Sequence, residues 1–438
     1  MTRVLFFGDA AATGFGSVTF DLGRALLDRG LDVRFVSQND LPGDLPSPFR
    51  ERTVDLASLI TTAEGVEGIR DFIPSLLRGD SEVMLADGSG WERWKPDAAI
   101  LLGDFAAARL FTGPYLRDFA SLPTFHYVPV EGVDLPPRWA DLWRILRPVA
   151  MSRFGQQEIA RITGTLPPLA YHGVDGTVFR PVSPSDPIVL RGAGEAGKAE
   201  VLTSKEGCKA WLGINPRARV MLRTDRNMPR KRYGALLRAL APVLDARRDA
   251  CLVIHCAAWD QGGNLHDSIS KLPLHVQQQI RVTDQRGLPR EVLRILYNAA
   301  DLYVSTSAEG FGLTIAEAIA CGVPAVGMDY SAVPEVIGPA GQVVPVAFLY
   351  DNEYDHHWAS PDEEAFGAAA GFLLDHPARR RALGAEGPKH VARHFRWDAC
   401  GEVFERAILD AIASQEHRAA LPPEADEFVF VPPDAAAA

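Results

Sequence analysis

Cysteine is scarce: five are spread over 438 residues (Cys208, Cys251, Cys256, Cys321 and Cys400), with no CxxC pair among them. That scarcity argues against a disulfide framework or a zinc ribbon and fits a reducing cytosol. Long apolar runs are missing too. No stretch of about 18 such residues occurs, so no membrane span is expected. The opening MTRVLFFGDAAATG has one Arg and then an apolar stretch broken at Gly8 and Asp9, too short for a secretory signal. Positive charge is not in excess. Lys and Arg number 45 against 56 Asp and Glu, a net −11, which makes nucleic acid the less favoured partner because affinity for polyanions leans on clustered cations. No strong basic amphipathic helix appears, although Arg144, Arg147 and Arg153 leave a weak membrane-surface contact open.

What is present is alternation. Arg3–Phe7 reads as a strand, Ser17–Arg29 as a helix and Asp32–Ser37 as a second strand, a βαβ unit. Strand-like runs recur at Asp97–Leu102, Leu122–Tyr127 and Val149–Ser152, then again at Arg219–Leu222, Ala250–Cys256, Ile280–Val282, Asp301–Ser305 and Ala325–Met328, with helical stretches between them. The pattern predicts an α/β chain with two Rossmann-like, doubly wound domains facing an interdomain cleft. The expected boundaries are 1–180 for the first domain, 181–207 for a Pro- and Gly-rich linker, 208–395 for the second domain, 396–420 for a C-terminal helix packing back on the first domain, and 421–438 for an extended tail.

The densest chemical signal runs from Ser307 to Glu317 (SAEGFGLTIAE), directly after the strand Asp301–Ser305 and opening a helix. Gly310 and Gly312 let backbone N–H groups approach an anion, and the helix N-terminus adds partial positive charge. Glu309 and Glu317 suit hydroxyls rather than phosphates, so a sugar nucleotide matches both halves of the motif. Arg226 and Lys231, in RNMPRK, place two cations within reach of one diphosphate. Taken without context, the same residues also fit a solvated strand-to-helix turn and a solvated basic loop. Thr13–Ser17 (TGFGS) is a glycine-rich turn but not a GxGxxG, because Thr19 stands three after Gly16. The run Asp351–His357 reads as a polar connection that contains metal-ligand residue types without the spacing of a metal site. Cys251 and Cys256 read as buried hydrophobes, and Trp139 and Trp143 as helix core or cleft lining.

From Leu302 to Val336 the sequence resembles, in order, the glutamate-x7-glutamate signature of retaining glycosyltransferases of family four, the glycosyl transferases group 1, whose fold is GT-B. RNMPRK is similar to that family's Arg-x4-Lys element, with Arg232 standing where the family usually has Gly. The resemblance implies transfer of a sugar from a nucleotide-diphosphate sugar, with retention of configuration and with neither metal nor cofactor. It implies that Glu309 and His126 act on the transferred sugar and Glu317 on the ribose. Gly14, Phe15, Gly16, Arg226, Lys231, Gly310, Phe311, Gly312, Leu313 and Thr314 are assigned to the donor. Glu131, on the loop after His126, is a second candidate for sugar or acceptor. A sugar-nucleotide epimerase and a non-catalytic sugar-nucleotide binder remain open, as do acceptor, sugar, base and oligomeric state.

Overall fold

In the computed structural model the described residues are 1–10, 13–37, 45–54, 73–80, 82–84, 91–105, 108, 116–190, 199–285 and 287–414. They form two compact units. The first comprises Met1–Val130, Leu135–His172 and the chain from Trp397 onward; the second comprises Glu131–Asp134 and Gly173–Arg396. Among the described residues no helix is long and apolar enough to cross a membrane.

The first unit is built on a parallel six-stranded sheet. Its strands are β1 (Arg3–Gly8), β2 (Asp32–Ser37), β3 (Thr53–Val54), β4 (Ala98–Leu102), β5 (Thr124–Val128) and β6 (Arg147–Ala150), in the order β3-β2-β1-β4-β5-β6. Every residue of β4 and β5 is buried, as expected of parallel strands covered on both faces. The helix Gly14–Asp28 buries Val18, Leu22 and Leu26. The helix Trp397–Ala413 belongs to this unit: Glu405 pairs with Arg29 at 2.6 Å, and Phe404 lies edge-on to Tyr127 at 5.0 Å between ring centres.

The second unit repeats the architecture. Its strands are β7 (Arg219–Thr224), β8 (Ala250–His255), β9 (Ile280–Val282), β10 (Leu302–Val304), β11 (Ala325–Met328) and β12 (Gly341–Val344), all parallel, in the order β9-β8-β7-β10-β11-β12. Met221 pairs with Leu302 and Leu222 with Tyr303. The loops after β7 and β10 therefore leave adjacent strands at the same carboxyl edge, where ligands of such sheets bind. An antiparallel hairpin follows, β13 (Val346–Asp351) and β14 (His357–Pro361).

Two expectations change. Residues 181–207 are not a simple linker: Ile188–Leu190 pairs antiparallel with Glu200–Leu202, and the helix Lys205–Trp211 begins inside the span. Ile188, Leu202 and Cys208 are buried with Ile295 and Ala299, so three-residue strands anchor what composition alone presents as a solvated stretch; 191–198 lie outside the described residues. Asp351–His357 is the turn and second-strand start of the hairpin rather than a free connection, with His356 buried. The tail 421–438 lies outside the described residues.

Candidate active site

The loops after β7 and β10 meet through charge. Lys231 Nζ lies 2.5 Å from Glu309 Oε1 and 2.9 Å from Asp225 Oδ1. Arg230 Nη1 donates to Glu309 Oε2 at 3.0 Å and to the Ala308 carbonyl at 2.9 Å, and its Nε lies 3.3 Å from Glu131 Oε1. Arg223, fully buried on β7, pairs with Asp225 at 2.8 Å, donates to Ser307 Oγ at 3.0 Å and lies over the Tyr233 ring at 5.7 Å. The Ser307 hydroxyl in turn donates to Glu309. The Thr306 hydroxyl donates to the Lys231 carbonyl at 3.0 Å, pinning one loop to the other. Among the described residues these contacts interleave the cations Lys231, Arg230 and Arg223 with the carboxylates of Glu309, Asp225 and Glu131. Burial alone pushes the Glu309 carboxyl up, but Lys231, Arg230 and Arg223 outweigh it and hold it well below the usual carboxylate range.

Beyond Glu309 the chain turns into the helix Leu313–Ala320. Gly312 is its N-cap with φ +105°, a left-handed conformation that favours glycine, and no side chain caps the helix. The first-turn N–H groups carry the partial positive charge of the helix N-terminus. Gly310 and Phe311 are buried, with Phe311 edge-on to Phe395 at 5.1 Å; Leu313 and Thr314 are half-buried. Glu317, half-buried one turn on, accepts from the Tyr297 hydroxyl at 2.7 Å; Tyr297 in turn lies 3.1 Å from Thr224 Oγ1 at the end of β7.

Arg226 does not join the cluster around Glu309. It is about half exposed and forms a two-point pair with Asp260, both contacts at 3.1 Å. Arg232 takes the left-handed backbone (φ +54°) that a glycine adopts without strain. Its guanidinium lies 4.8 Å from the Tyr350 ring centre and donates to Ser360 Oγ at 3.1 Å. The loop keeps a glycine-like path although the residue is Arg.

In the first unit, Gly14, Phe15 and Gly16 lie in the first turn of the helix rather than in a loop before it, because Thr13 is the N-cap and accepts from the Gly16 N–H at 3.0 Å. Residues 11–12 lie outside the described residues. His126 is fully buried on β5. Its Nδ1 accepts from the Trp143 indole at 3.0 Å, which leaves Nε2 to donate to the Gly103 carbonyl at 3.0 Å. Burial lowers its pKa to about 4, against the opposing Gly103 bond. Both ring nitrogens are engaged, so in this geometry the imidazole ties β5 to its neighbours and has none to offer a sugar hydroxyl. Of the two candidates on this stretch, Glu131 is the one joined to Glu309, through Arg230.

Sequence reasoning missed Arg223, Asp225, Arg230, Ser307 and Tyr297. A signal existed for Arg223, a charge set inside an apolar strand (VMLR). Arg230 was hidden within a run of four cations in seven residues.

Residues 219–374 match the family described as Glycosyl transferases group 1. A GDP-mannose-dependent monoacylated alpha-(1-6)-phosphatidylinositol monomannoside mannosyltransferase of Corynebacterium glutamicum is 27% identical over 239 residues, 52% of this chain and 52% of that protein. A D-inositol 3-phosphate glycosyltransferase of Kineococcus radiotolerans is 32% identical over 220 residues, 47% of this chain and 48% of the relative. The chain thus spans about half the length of the curated relatives it matches. Among solved structures, sucrose-phosphate synthase of Thermosynechococcus elongatus aligns with a TM-score of 0.68 at 18% identity, covering 94% of this chain and 100% of the other. Anabaena HepE in complex with UDP-glucose gives 0.63 at 15% identity, with 94% and 100% covered. The architecture is GT-B. The match over residues 219–374 is to a glycosyl transferases group 1 domain, consistent with similarity to the family-four type of glycosyltransferase.

Proposed function

We propose that this chain is a retaining glycosyltransferase that moves a sugar from a nucleotide-diphosphate sugar to an acceptor hydroxyl. The observation that carries the reading is the Glu309 carboxylate, fixed by Lys231 and Arg230 directly before the uncapped N-terminus of the helix Leu313–Ala320. An anion-binding helix end next to a carboxylate that only accepts hydrogen bonds suits a diphosphate joined to a polyol.

In this reading Glu309 accepts from hydroxyls of the transferred sugar and Glu317 from the ribose. Gly310, Phe311, Gly312, Leu313 and Thr314 offer backbone contacts to sugar and phosphate. Arg226 and Lys231 neutralise the diphosphate, and Gly14, Phe15 and Gly16 keep the role the resemblance implies. The acceptor oxygen attacks the anomeric carbon on the face from which the leaving diphosphate departs. The carbon–oxygen bond to phosphate breaks as the new glycosidic bond forms, and a phosphate oxygen takes the acceptor proton. The protein supplies electrostatics and positioning, with no metal or cofactor. Two relatives are named for a phosphatidylinositol mannoside and an inositol phosphate, which supports an acceptor hydroxyl on an inositol or a mannoside.

The test is a thermal-shift panel of UDP, GDP and their glucose and mannose conjugates, followed by transfer to inositol phosphate and mannosides with the anomeric configuration read by NMR. Stabilisation by one nucleotide sugar and an axial product from an axial donor are expected. An isomerised donor formed without acceptor identifies an epimerase instead, and binding without turnover on any acceptor identifies a binding protein. Complete loss of transfer in EDTA, restored by a divalent ion, overturns the metal-free mechanism.

A further inference from the structure

Ser307 stands two residues before Glu309 on the loop after β10 and is fully buried. Its hydroxyl lies between a group that can only donate and a group that can only accept. On one side Arg223 Nη2 donates to Ser307 Oγ at 3.0 Å; on the other lies the Glu309 carboxylate. The hydroxyl proton therefore points at Glu309 Oε1, and the Ser305 hydroxyl, 3.2 Å away, is left to donate to Ser307 in turn. Arg223 is held by Asp225 at 2.8 Å and by the Val304 carbonyl at 3.3 Å, while its buried Nε has no hydrogen-bond partner among the described residues. Stability alone does not favour a buried guanidinium with an unpaired N–H on an apolar strand; what this one does is fix the direction of the Ser307 hydroxyl. The backbone of Glu309 is fixed as well, its N–H donating to Ser331 Oγ at 2.9 Å and its carbonyl accepting from the Ala332 N–H at 3.2 Å. Among the described residues, Lys231, Arg230 and Ser307 donate to the Glu309 carboxylate. Lys231 and Arg230 come from the loop after β7 and divide their bonds, Lys231 with Asp225 and Arg230 with the Ala308 carbonyl. Ser307 comes from Glu309's own loop, is uncharged and directs its one proton to Glu309.

We propose that Ser307 is a positioning residue for the sugar contact: with its direction set by Arg223, its hydroxyl holds the Glu309 carboxylate in one orientation, ready to accept from a hydroxyl of the transferred sugar. The inference rests on the reading of Glu309 as a sugar contact. The last torsion of a glutamate side chain is broad, so a carboxylate held only by two shared cations turns when one of them moves. In the proposed reaction Lys231 also faces the diphosphate. Ser307 has no such second duty, and its bond keeps Oε1 in place as Lys231 turns. Ordering the carboxylate before the sugar arrives lowers the cost of binding the sugar. The free nucleotide, which in this reading does not touch Glu309, gains nothing from it.

The test measures Kd by calorimetry for UDP, UDP-glucose, GDP and GDP-mannose on the wild-type chain, Ser307→Ala, Glu309→Gln and the double variant. The readout is the Kd of the free nucleotide divided by that of its sugar conjugate, for the pair that the wild type binds more tightly. Ser307→Ala is expected to lower this ratio about 5-fold or more, while the Kd of the free nucleotide stays within about 2-fold of the wild-type value. Glu309→Gln lowers the ratio too. Because Ser307 acts through residue 309, the loss in the double variant falls short of the product of the two single losses. A merely structural role for the buried hydroxyl weakens nucleotide and nucleotide sugar by the same factor and leaves the ratio where it was. An unchanged ratio in Ser307→Ala, or a double variant that shows the full product, overturns the proposal alone. An unchanged ratio in Glu309→Gln overturns the reading of Glu309 as a sugar contact, and failure of the wild-type chain to bind any of the four ligands overturns the transferase reading itself.

Discussion

Replacing Lys231 by Met and Glu309 by Gln, singly and together, tests whether the charges around Glu309 act as one closed network. Lys231 is 5% exposed and its ammonium touches two carboxylates, on Glu309 and Asp225. Lys231→Met leaves three buried carboxylates to two guanidinium groups; Glu309→Gln leaves three cations to two carboxylates. Breaking a buried pair by removing one partner costs about 3–5 kcal/mol, because the other charge stays desolvated without compensation. Each single change still leaves secondary pairs, Arg223 with Asp225 at 2.8 Å and Arg230 with Glu131 at 3.3 Å, so the lower end of that range, about 3 kcal/mol, is expected for each. The double variant restores charge balance at two against two. It is expected to cost about 3 kcal/mol rather than about 6, a coupling of about 3 kcal/mol.

Urea unfolding at pH 7, followed by tryptophan fluorescence and circular dichroism to separate transitions of the two units, supplies the four free energies. A double variant within about 0.5 kcal/mol of the sum of the singles refutes the closed network. Acid adds a check on sign. The Glu309 carboxyl is held below its unfolded value of 4.5, so its contribution is present above that pH and is lost as pH falls through the depressed folded value. Lys231→Met removes the largest of the cationic causes, and its stability is expected to fall at a higher pH than that of the wild type.

Three further outcomes follow from local geometry. At Arg232, Ala retains the left-handed strain and loses the Tyr350 and Ser360 contacts, so Arg232→Ala is expected to cost about 1–2 kcal/mol, whereas Arg232→Gly is near neutral because relief of backbone strain offsets the lost contacts; equal costs in denaturant refute this. His126 is neutral in the folded chain, with a pKa lowered to about 4 from 6.5. Stability is therefore full above 6.5 and falls between 6.5 and 4, by up to about 3 kcal/mol, and His126→Gln is expected to flatten that part of the pH curve; parallel curves for the two proteins count against it. Arg226→Met removes the half-exposed partner of the buried Asp260 carboxylate and is expected to cost about 1–3 kcal/mol, yet to weaken nucleoside diphosphate binding about 10-fold or more if this cation serves the diphosphate. Unchanged calorimetric affinity excludes that role.

The parts legible in the sequence are those set by local pattern. Asp32–Ser37, Ile280–Val282 and Ala325–Met328 appear at the expected bounds, because short β-branched or apolar runs between helical stretches have few alternatives. The contiguous strand, glycine turn and helix that carry Glu309 and Glu317 are read by the same route. The meeting of Arg230 with Glu131 is not. Their meeting depends on β7 lying beside β10 and on a four-residue segment of the earlier sequence joining the second unit, which no local period encodes. The hairpin β13–β14 escapes for a different reason: Phe348 and Leu349 are 52% and 46% exposed, so its apolar residues do not follow the alternation that marks a half-buried strand. His126 shows that position along a strand does not decide a role. Its place near the end of β5 suits a ligand contact, but the facing Trp143 indole claims one nitrogen and the Gly103 carbonyl the other.

The charge balance of the network bears on how a diphosphate is accommodated in the proposed reaction. Three cations already matched by three carboxylates cannot by themselves neutralise two further negative charges. The additional stabilisation then falls to the N-terminus of the helix Leu313–Ala320 and to Arg226, which is likewise shared with its partner Asp260. Lys231 contributes only by sharing its ammonium between phosphate and the carboxylates of Glu309 and Asp225. Such sharing lengthens the Lys231–Glu309 contact and leaves Glu309 Oε1 better able to accept from a sugar hydroxyl. On the proposed function, diphosphate binding and sugar recognition are linked through one side chain, so Lys231→Met is expected to reduce the affinity gained by adding the sugar to the nucleotide as well as the affinity for the nucleotide itself. A variant that lowers both nucleotide and nucleotide-sugar affinity by the same factor shows that the two sites are independent.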